Sequence, residues 1–139
     1  MIEVSPVLMF AGNCEEAFEF YRKVFGNDLQ FLYRYRDVFT GGIPKGYEDK
    51  IMHISLPLMR NVFLMGSDSL NDVRIGDAVS IGLRLNNEEE TIRLFNALGE
   101  KGSVIDPLTK MFYADLYGSI VDRYGVRWTF NCNIGREPE

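Results

Sequence analysis

The first quarter of the chain changes from an alternating pattern of apolar residues to a helical spacing. Apolar side chains alternate over Ile2–Phe10, which predicts a strand. From residue 14 onward they recur every three or four positions, which predicts a helix over Cys14–Phe25. Asn13 with Glu16 three residues later resembles a capping box, and Gly26 suits the left-handed residue that often ends a helix.

Strand and loop patterns follow this helix. Aromatic and long side chains predict a second strand over Leu29–Arg36. Asp37–Lys50 holds three glycines and a proline, which indicates a long loop, and loops of this length are often functional or mobile. Two further strands are predicted over Ile51–Leu58 and Asn61–Met65, joined as a hairpin through Met59-Arg60-Asn61.

The same order of elements then recurs in the second half. Ala78–Leu85 is typical of a strand, and Asn87 with Glu90 predicts the start of a second helix. Asn13 and Asn87 are 74 residues apart, and the apolar helix positions of the two halves match at that offset. A turn is expected at Asp106-Pro107. The second helix is expected to bury Thr91, Ile92, Phe95 and Leu98, with strands near Ser103-Val104-Ile105, Met111–Val121 and Val126–Cys132.

This repetition predicts an α+β fold made of two tandem βαβββ modules, over about residues 1–68 and 78–133 of one 139-residue domain. Each module is expected to form a curved mixed sheet with a helix on one face. Two such sheets can enclose a cavity, and strand positions that face it would contact a ligand.

Composition and charge limit the classes of partner and metal site that are expected. Lys and Arg number 15 against 20 Asp and Glu, and no basic run is present, so neither nucleic acid nor an anionic membrane is an expected partner. No apolar stretch approaches the ~20 residues of a membrane span. Met1-Ile2-Glu3 does not resemble the start of a signal peptide, so a cytoplasmic location is expected. One histidine and two cysteines, Cys14 and Cys132, exclude a multi-histidine or four-cysteine metal site within one chain, and both thiols are expected to be reduced and packed.

Six short motifs follow one another in a characteristic order and spacing, and the match extends from about Ser5 to Asn131. They are Ser5-Pro6-Val7-Leu8-Met9-Phe10 with Gly12-Asn13, Glu16-Ala17-Phe18-Glu19-Phe20-Tyr21, Val24-Phe25-Gly26, Lys50-Ile51-Met52-His53, Leu64-Met65-Gly66-Ser67-Asp68, and Tyr117-Gly118 through Val121-Asp122-Arg123-Tyr124-Gly125-Val126-Arg127-Trp128. Together they resemble the vicinal oxygen chelate superfamily of glyoxalase I, extradiol dioxygenases and the fosfomycin and bleomycin resistance proteins, and within it the PhnB-like branch. The resemblance implies a paired-module fold with a ligand cavity and usually a homodimer.

In the metal-using members of that superfamily, His, Glu or Gln near the start of each module's first strand and on its last strand hold a divalent ion. The corresponding positions here are Ser5 or Pro6, Met65 or its neighbours, Ser80 or Ile81, and Thr129. None is His, Glu or Gln, so neither a metal nor another cofactor is expected. Members of the PhnB-like branch sometimes carry a methyltransferase label, but Phe10-Ala11-Gly12-Asn13 has one glycine and does not resemble a nucleotide-binding turn.

The candidate site residues are aromatic, aliphatic or titratable side chains near the expected cavity. Histidine titrates near neutral pH, so the single histidine is a candidate for both ligand contact and acid–base catalysis, against the alternative of a structural histidine. The aromatic candidates would form walls for a flat ligand, against the alternative of core packing. The predicted ligand-binding residues are His53, Met65, Phe112, Tyr113 and Trp128, and His53 is the predicted catalytic residue.

Three functional hypotheses follow. The first is a dimeric, metal-free protein that binds a small molecule, with His53 as a polar contact. The second is an enzyme of isomerase, lyase or dioxygenase type acting on a small metabolite, either through His53 and a carboxylate or with an unrecognised divalent metal site. Asp68 and Asp115 suit a general base by residue type, although a solvated or capping carboxylate is the simpler interpretation. The third is an interaction module whose loop Asp37–Lys50 contacts another protein or the dimer mate.

Overall fold

The computed structural model describes residues 2–59 and 61–135, and its chain divides between Arg74 and Ile75 into two compact units. Each unit consists of one four-stranded mixed sheet with a long helix packed on it. None of the helices in these residues is long and apolar enough to cross a membrane.

The first unit has the predicted order of elements with one short extra helix. Its elements are β1 Val7–Phe10, α1 Cys14–Phe25, β2 Phe31–Arg34, α2 Tyr35–Val38, β3 Ile51–Met59 and β4 Val62–Asp68. The strand order is β1-β4-β3-β2, in which β1 runs parallel to β4 and the other neighbours are antiparallel. Arg60, which the sequence places in the β3–β4 turn, lies outside the described residues.

The second unit repeats this topology. Its elements are β5 Ile81–Leu85, α3 Glu88–Gly99, β6 Ser103–Met111, β7 Ala114–Val121 and β8 Arg127–Cys132. The order β5-β8-β7-β6, with β5 parallel to β8, matches the first sheet strand for strand. The prediction of two tandem βαβββ modules is therefore confirmed.

Alternation along the strands gives the first sheet one face that packs on α1 and one that does not. On the helix side, Phe10 meets Phe18 edge to face, with ring centroids 6.1 Å apart. Gly66 makes this packing possible, because a Cβ there would lie 2.5 Å from Cε1 of Phe18. The other face, here called the first open face, carries Val7, Met9, Phe31, Tyr33, His53, Ser55, Pro57, Phe63, Met65 and Ser67.

The second sheet has the same two sides. Phe130 packs edge to face on Phe95 of α3, with ring centroids 5.3 Å apart. The indole Nε1 of Trp128 donates a 2.9 Å hydrogen bond to Oδ2 of buried Asp122, which also accepts bonds from the backbone of the turn before β8. The face away from α3, here called the second open face, carries Asp106, Tyr117, Ser119, Arg127 and Thr129.

A residue from the far end of the first unit caps α1. The side chain of Asn13 makes no capping hydrogen bond, so the predicted capping box is wrong. Instead Oδ1 of Asp68 accepts 3.0 Å hydrogen bonds from the backbone N–H groups of Gly12 and Cys14, and Oδ2 accepts one of 2.9 Å from that of Ile51. Asp68 is therefore a capping carboxylate, which was the simpler of the two interpretations from the sequence.

The helix ends were otherwise predicted well. Gly26 is left-handed and its N–H bonds the carbonyl of Arg22, as expected for a residue that ends a helix. Oδ1 of Asn87 accepts from the N–H of Glu90 at 2.8 Å, which confirms the second cap. Ile92 is half exposed, so its assignment to the buried face of α3 is wrong, and Leu94 lies there instead.

Several strand boundaries differ from the prediction. The first strand begins only at Val7, and β2 ends at Arg34 because the chain turns into α2, where the hydroxyl of Tyr35 donates to the carbonyl of Asp68 at 2.7 Å. Asp106-Pro107 forms no turn. It lies inside β6, which absorbs the proline through register shifts, and the β6–β7 turn falls at residues 112–113.

The long loop after α2 is attached to the first unit rather than free at its base. The Arg36 guanidinium forms an ion pair with Asp49, and the backbone N–H of Arg36 donates a hydrogen bond to the carbonyl of Glu48. The rings of Tyr35 and Tyr47 meet edge to face at 6.4 Å. These contacts join the two ends of the loop to each other.

Candidate functional site

A pocket of about 210 Å³ opens on the second open face, next to the segment that precedes β5. An engineered cavity of about 150 Å³ holds benzene, so by proportion this volume suits a compound of about eight non-hydrogen atoms. Its polar and aromatic lining residues are Asp77, Ser80, Asp106, Tyr117, Ser119, Arg127, Trp128 and Thr129.

Hydrogen bonds fix the polar wall of the pocket. The hydroxyls of Ser80 and Thr129 lie 2.8 Å apart across the strand pair, so one of them keeps its own O–H for another acceptor. Ser119 donates to Oδ2 of Asp106 at 2.8 Å, which leaves the lone pairs of its hydroxyl available. Arg127 donates through Nη1 to the carbonyl of Asp77 at 3.0 Å and retains further N–H donors.

Aromatic side chains lead from the pocket to the β6–β7 turn. Tyr117 lines the pocket, and its ring lies edge to face against Tyr113 at 5.9 Å. Tyr113 in turn contacts Phe112 at 4.9 Å, and Phe112 is 99% exposed at the tip of the turn. Trp128 borders the pocket, but it alternates with Arg127 and Thr129, so its fully buried indole lies on the α3 side of the sheet. Three predicted site residues therefore lie at or near one pocket, and their role in binding stays a prediction.

The other two predicted site residues share the first open face. His53 lies opposite Tyr33 in the β2–β3 pair, and Met65 lies opposite Ser55 in the β3–β4 pair. Within the described parts of the chain, the imidazole of His53 makes no hydrogen bond or ion pair. The enzyme hypothesis needs a carboxylate partner for His53, and the described residues supply none.

Sequence reasoning missed several residues of both faces. Tyr117, Ser119 and Asp106 were not singled out, although polar residues alternate with apolar ones along β7 and this alternation is the signal of a second, solvated face. Ser55 was missed for a different reason. A serine among apolar strand residues carries no signal in the sequence, and only its burial in the structure makes it notable.

The residues at the expected metal-ligand positions do not fit a divalent ion. Ser80 and Thr129 lie within hydrogen-bond distance of each other, and the N–H of Met65 bonds the carbonyl of Pro6 at 3.0 Å. The equivalent positions of each module are thus adjacent, which supports the alignment, but neutral hydroxyls and a thioether are poor ligands for hard divalent ions. Among the described residues, no three His, Cys, Asp or Glu side chains cluster as a metal site.

The thiol nearest to the α1 cap is not suited to nucleophilic chemistry. Burial, with a further effect from the neighbouring Asp68 carboxylate, raises the pKa of Cys14 far above its ordinary value. Because the thiolate is the nucleophilic form, this thiol is inert at neutral pH. Cys132 is also free and buried, as expected from the sequence.

Comparisons with known proteins agree with this fold. A glyoxalase-related enzyme from Fulvimarina pelagi, 17% identical, superposes with a TM-score of 0.59 over 96% of this chain and 89% of its own, so the two chains share a fold. The family model described as 3-demethylubiquinone-9 3-methyltransferase matches residues 2–130, and the chain belongs to this PhnB-like family.

Relatives of higher identity support that assignment. Protein PA1353 from Pseudomonas aeruginosa is 37% identical, with a TM-score of 0.86 over 96% of this chain and 99% of its own. A PhnB protein from Bacillus cereus is 26% identical, with a TM-score of 0.77 over 95% and 100%. Protein YjdN from Escherichia coli K12 is 29% identical over 97% of both chains.

The family description names a methyltransferase, whose reaction needs a methyl donor, and the described residues do not fit a nucleotide-derived one. Such ligands are often held at a glycine-rich turn before a helix. Here Asp68 already takes up the amides of Gly12 and Cys14 at the start of α1. Three glutamates fill the first turn of α3, where Asn87 is the cap. We therefore assign no methyl-transfer step to these residues.

Proposed function

We propose that this chain is a small-molecule-binding protein and that the pocket of the second unit is its binding site. The observation that carries the proposal is the pocket itself, whose volume suits a compound of about eight non-hydrogen atoms. Its wall combines fixed hydroxyls with the carboxylate of Asp106 and the guanidinium of Arg127. A few convergent polar groups in a concave site are typical of ligand pockets.

The chemistry of the wall favours a polar ligand. The Ser80–Thr129 pair and Tyr117 offer O–H donors, while Asp106 and Ser119 offer acceptors. A ligand with both donors and acceptors would satisfy all of these groups. Phe112 and Tyr113, on the turn beside Tyr117, would cover the open side of such a ligand.

A screen with matched variants tests this function. Small polar metabolites would be mixed with the protein, and binding read from amide chemical shifts of β7 and β8. Ala78→Trp adds bulk to the pocket wall, whereas Asn96→Trp adds the same bulk to an exposed position on α3. We expect at least one metabolite to bind the wild type and the Asn96→Trp variant but not the Ala78→Trp variant. Equal binding to all three proteins, or no binding by any metabolite, would refute the pocket as the site.

We also propose that the protein works as a homodimer in the cytoplasm. The family resemblance supports the dimer, and the acidic charge of −5 supports a partner that is neither nucleic acid nor an anionic membrane. Light scattering on eluted protein over a hundredfold range of concentration checks the dimer. A mass of one chain throughout that range would contradict it.

A further inference from the structure

The hydroxyl of Ser55 is buried without a partner. Ser55 is 1% exposed, and its Oγ is the one buried side-chain nitrogen or oxygen in the described residues that makes no hydrogen bond. Buried polar groups are nearly always paired, because leaving one unpaired is costly. The exception therefore marks a position where a hydrogen-bond partner would be gained.

The surroundings of this hydroxyl are apolar. Ser55 lies between Phe31 on β2 and Met65 on β4, its cross-strand neighbours on the first open face. His53 and Pro57 lie two residues away on either side along β3 and therefore share this face. No Lys, Arg, Asp or Glu lies among the first open face residues defined above. No permanently charged side chain of this face would therefore pair with a charged ligand.

We propose that the first open face binds a neutral, mainly apolar compound through its carbonyl oxygen, which accepts hydrogen bonds from Ser55 and His53. A serine hydroxyl and a neutral imidazole each carry one donor, and a carbonyl oxygen has two lone pairs to receive them. A carboxylate ligand would lack a cation, and a hydrocarbon would leave Ser55 unpaired. This site lies in the first unit and does not depend on the pocket proposed above.

The cross-strand neighbours of Ser55 are suited to movement. Met65 is unbranched and has three rotatable bonds, so it adapts to a ligand at low cost. Phe31 is 48% exposed and stacks on Tyr33, with ring centroids 6.4 Å and ring planes 12° apart. A phenyl ketone would replace Met65 over Ser55 and extend this aromatic stack.

A pair of nearly isosteric ligands tests the proposal. Acetophenone and α-methylstyrene differ in whether a carbonyl oxygen or a methylene group is attached to the same skeleton. Each would be titrated into ¹⁵N-labelled wild type, Ser55→Ala and Ser67→Ala. Ser67 is the matched control, because it lies on the same face but its hydroxyl already donates to Sδ of Met9 at 3.2 Å.

We expect the wild type and Ser67→Ala to bind acetophenone about thirty-fold more tightly than α-methylstyrene, which is the effect of two net hydrogen bonds. The preference should fall to about five-fold in Ser55→Ala, because the hydrogen bond from His53 remains, and the shifted amides should lie on β3 and β4. Ser55→Ala should also unfold at the same urea concentration as the wild type or a higher one, because it removes an unpaired buried hydroxyl.

Four results would overturn the proposal. They are no binding of acetophenone up to its solubility, equal affinity of the wild type for both ligands, a clear loss of stability in Ser55→Ala, and shifts confined to β7 and β8. The last result would leave the second-unit pocket intact as the binding site. Failure of the pocket screen, in turn, would leave this test unaffected. The comparison of ligands on wild type alone decides the outcome if Ser55→Ala does not fold.

Discussion

Replacing Asp68 by alanine should destabilise the first unit strongly. The substitution removes the acceptor for three backbone N–H groups, those of Gly12, Cys14 and Ile51, at 2.9 to 3.0 Å. A buried donor left without an acceptor costs about 1–3 kcal/mol, and two of these three hydrogen bonds are fully buried. We therefore expect the free energy of unfolding to fall by about 3–4 kcal/mol, near the upper end for a single substitution.

Asp68→Asn distinguishes the hydrogen bond from Ile51 from the two donated by Gly12 and Cys14. Asp68→Asn keeps one oxygen for the N–H groups of Gly12 and Cys14 but turns an amide NH₂ towards the N–H of Ile51. Only one bond is lost, so we expect a cost of about 1–2 kcal/mol. Asp72→Asn is the control, because Asp72 is exposed in the polar connection after β4. That change should lie within about 0.5 kcal/mol of wild type.

Urea unfolding monitored by circular dichroism gives the free energy of unfolding of each of the three variants. Native-state hydrogen exchange then shows which unit is destabilised. The amide of Ile51 should exchange faster in both Asp68 variants and that of Cys14 in Asp68→Ala, while β7 and β8 amides should keep the wild-type rate. The reasoning is refuted if Asp68→Ala costs no more than Asp72→Asn. It is equally refuted if exchange accelerates in the second unit and not in the first.

Three further predictions rest on the same structure. Gly66→Ala should cost at least about 2 kcal/mol in urea unfolding, because its new Cβ would overlap the ring of Phe18, and a cost near zero would contradict that packing. Cys14 should resist iodoacetamide at pH 8 in the native protein and react once urea unfolds it, as read by mass spectrometry, whereas native labelling would contradict its burial and raised pKa. The hydrogen bond from Arg34 lowers the pKa of Glu15, so the stability that this pair adds should be present at neutral pH and lost as the pH falls through that lowered pKa. Since both side chains are partly exposed, Glu15→Gln should cost no more than about 0.5 kcal/mol at pH 7 and nothing in acid, and an equal cost at both pH values would contradict the assignment.

The fold could be predicted from the sequence because local patterns carry it. The spacing of apolar residues gave the bounds of α1. The same helix-start pattern occurs again 74 residues later, at Asn87, and this revealed the duplicated module. The α1 cap could not be found in this way. Its acceptor, Asp68, is 54 residues from Cys14, and a local capping pattern at Asn13 competed with it.

The site was harder to predict than the fold because binding depends on which strand positions share a face. Trp128 was predicted to line the ligand cavity, but its indole is fully buried and donates a hydrogen bond to Asp122. Residue type alone therefore did not distinguish a pocket-lining residue from a core residue. The proline at 107 suggested a turn, yet β6 continues through it by a register shift. Pocket-lining polar residues such as Ser119 became apparent only with the sheet register.

Native mass spectrometry of gently purified protein, without chelator or added metal, tests the central claim most directly. One spectrum reports the number of subunits, any bound metal and any co-purified compound. We predict a discrete organic mass bound to the wild type and absent from Ala78→Trp, with no stoichiometric divalent ion. One divalent ion per chain and no organic mass would contradict the account, because the hydroxyls of Ser80 and Thr129 would then have to be part of a metal site.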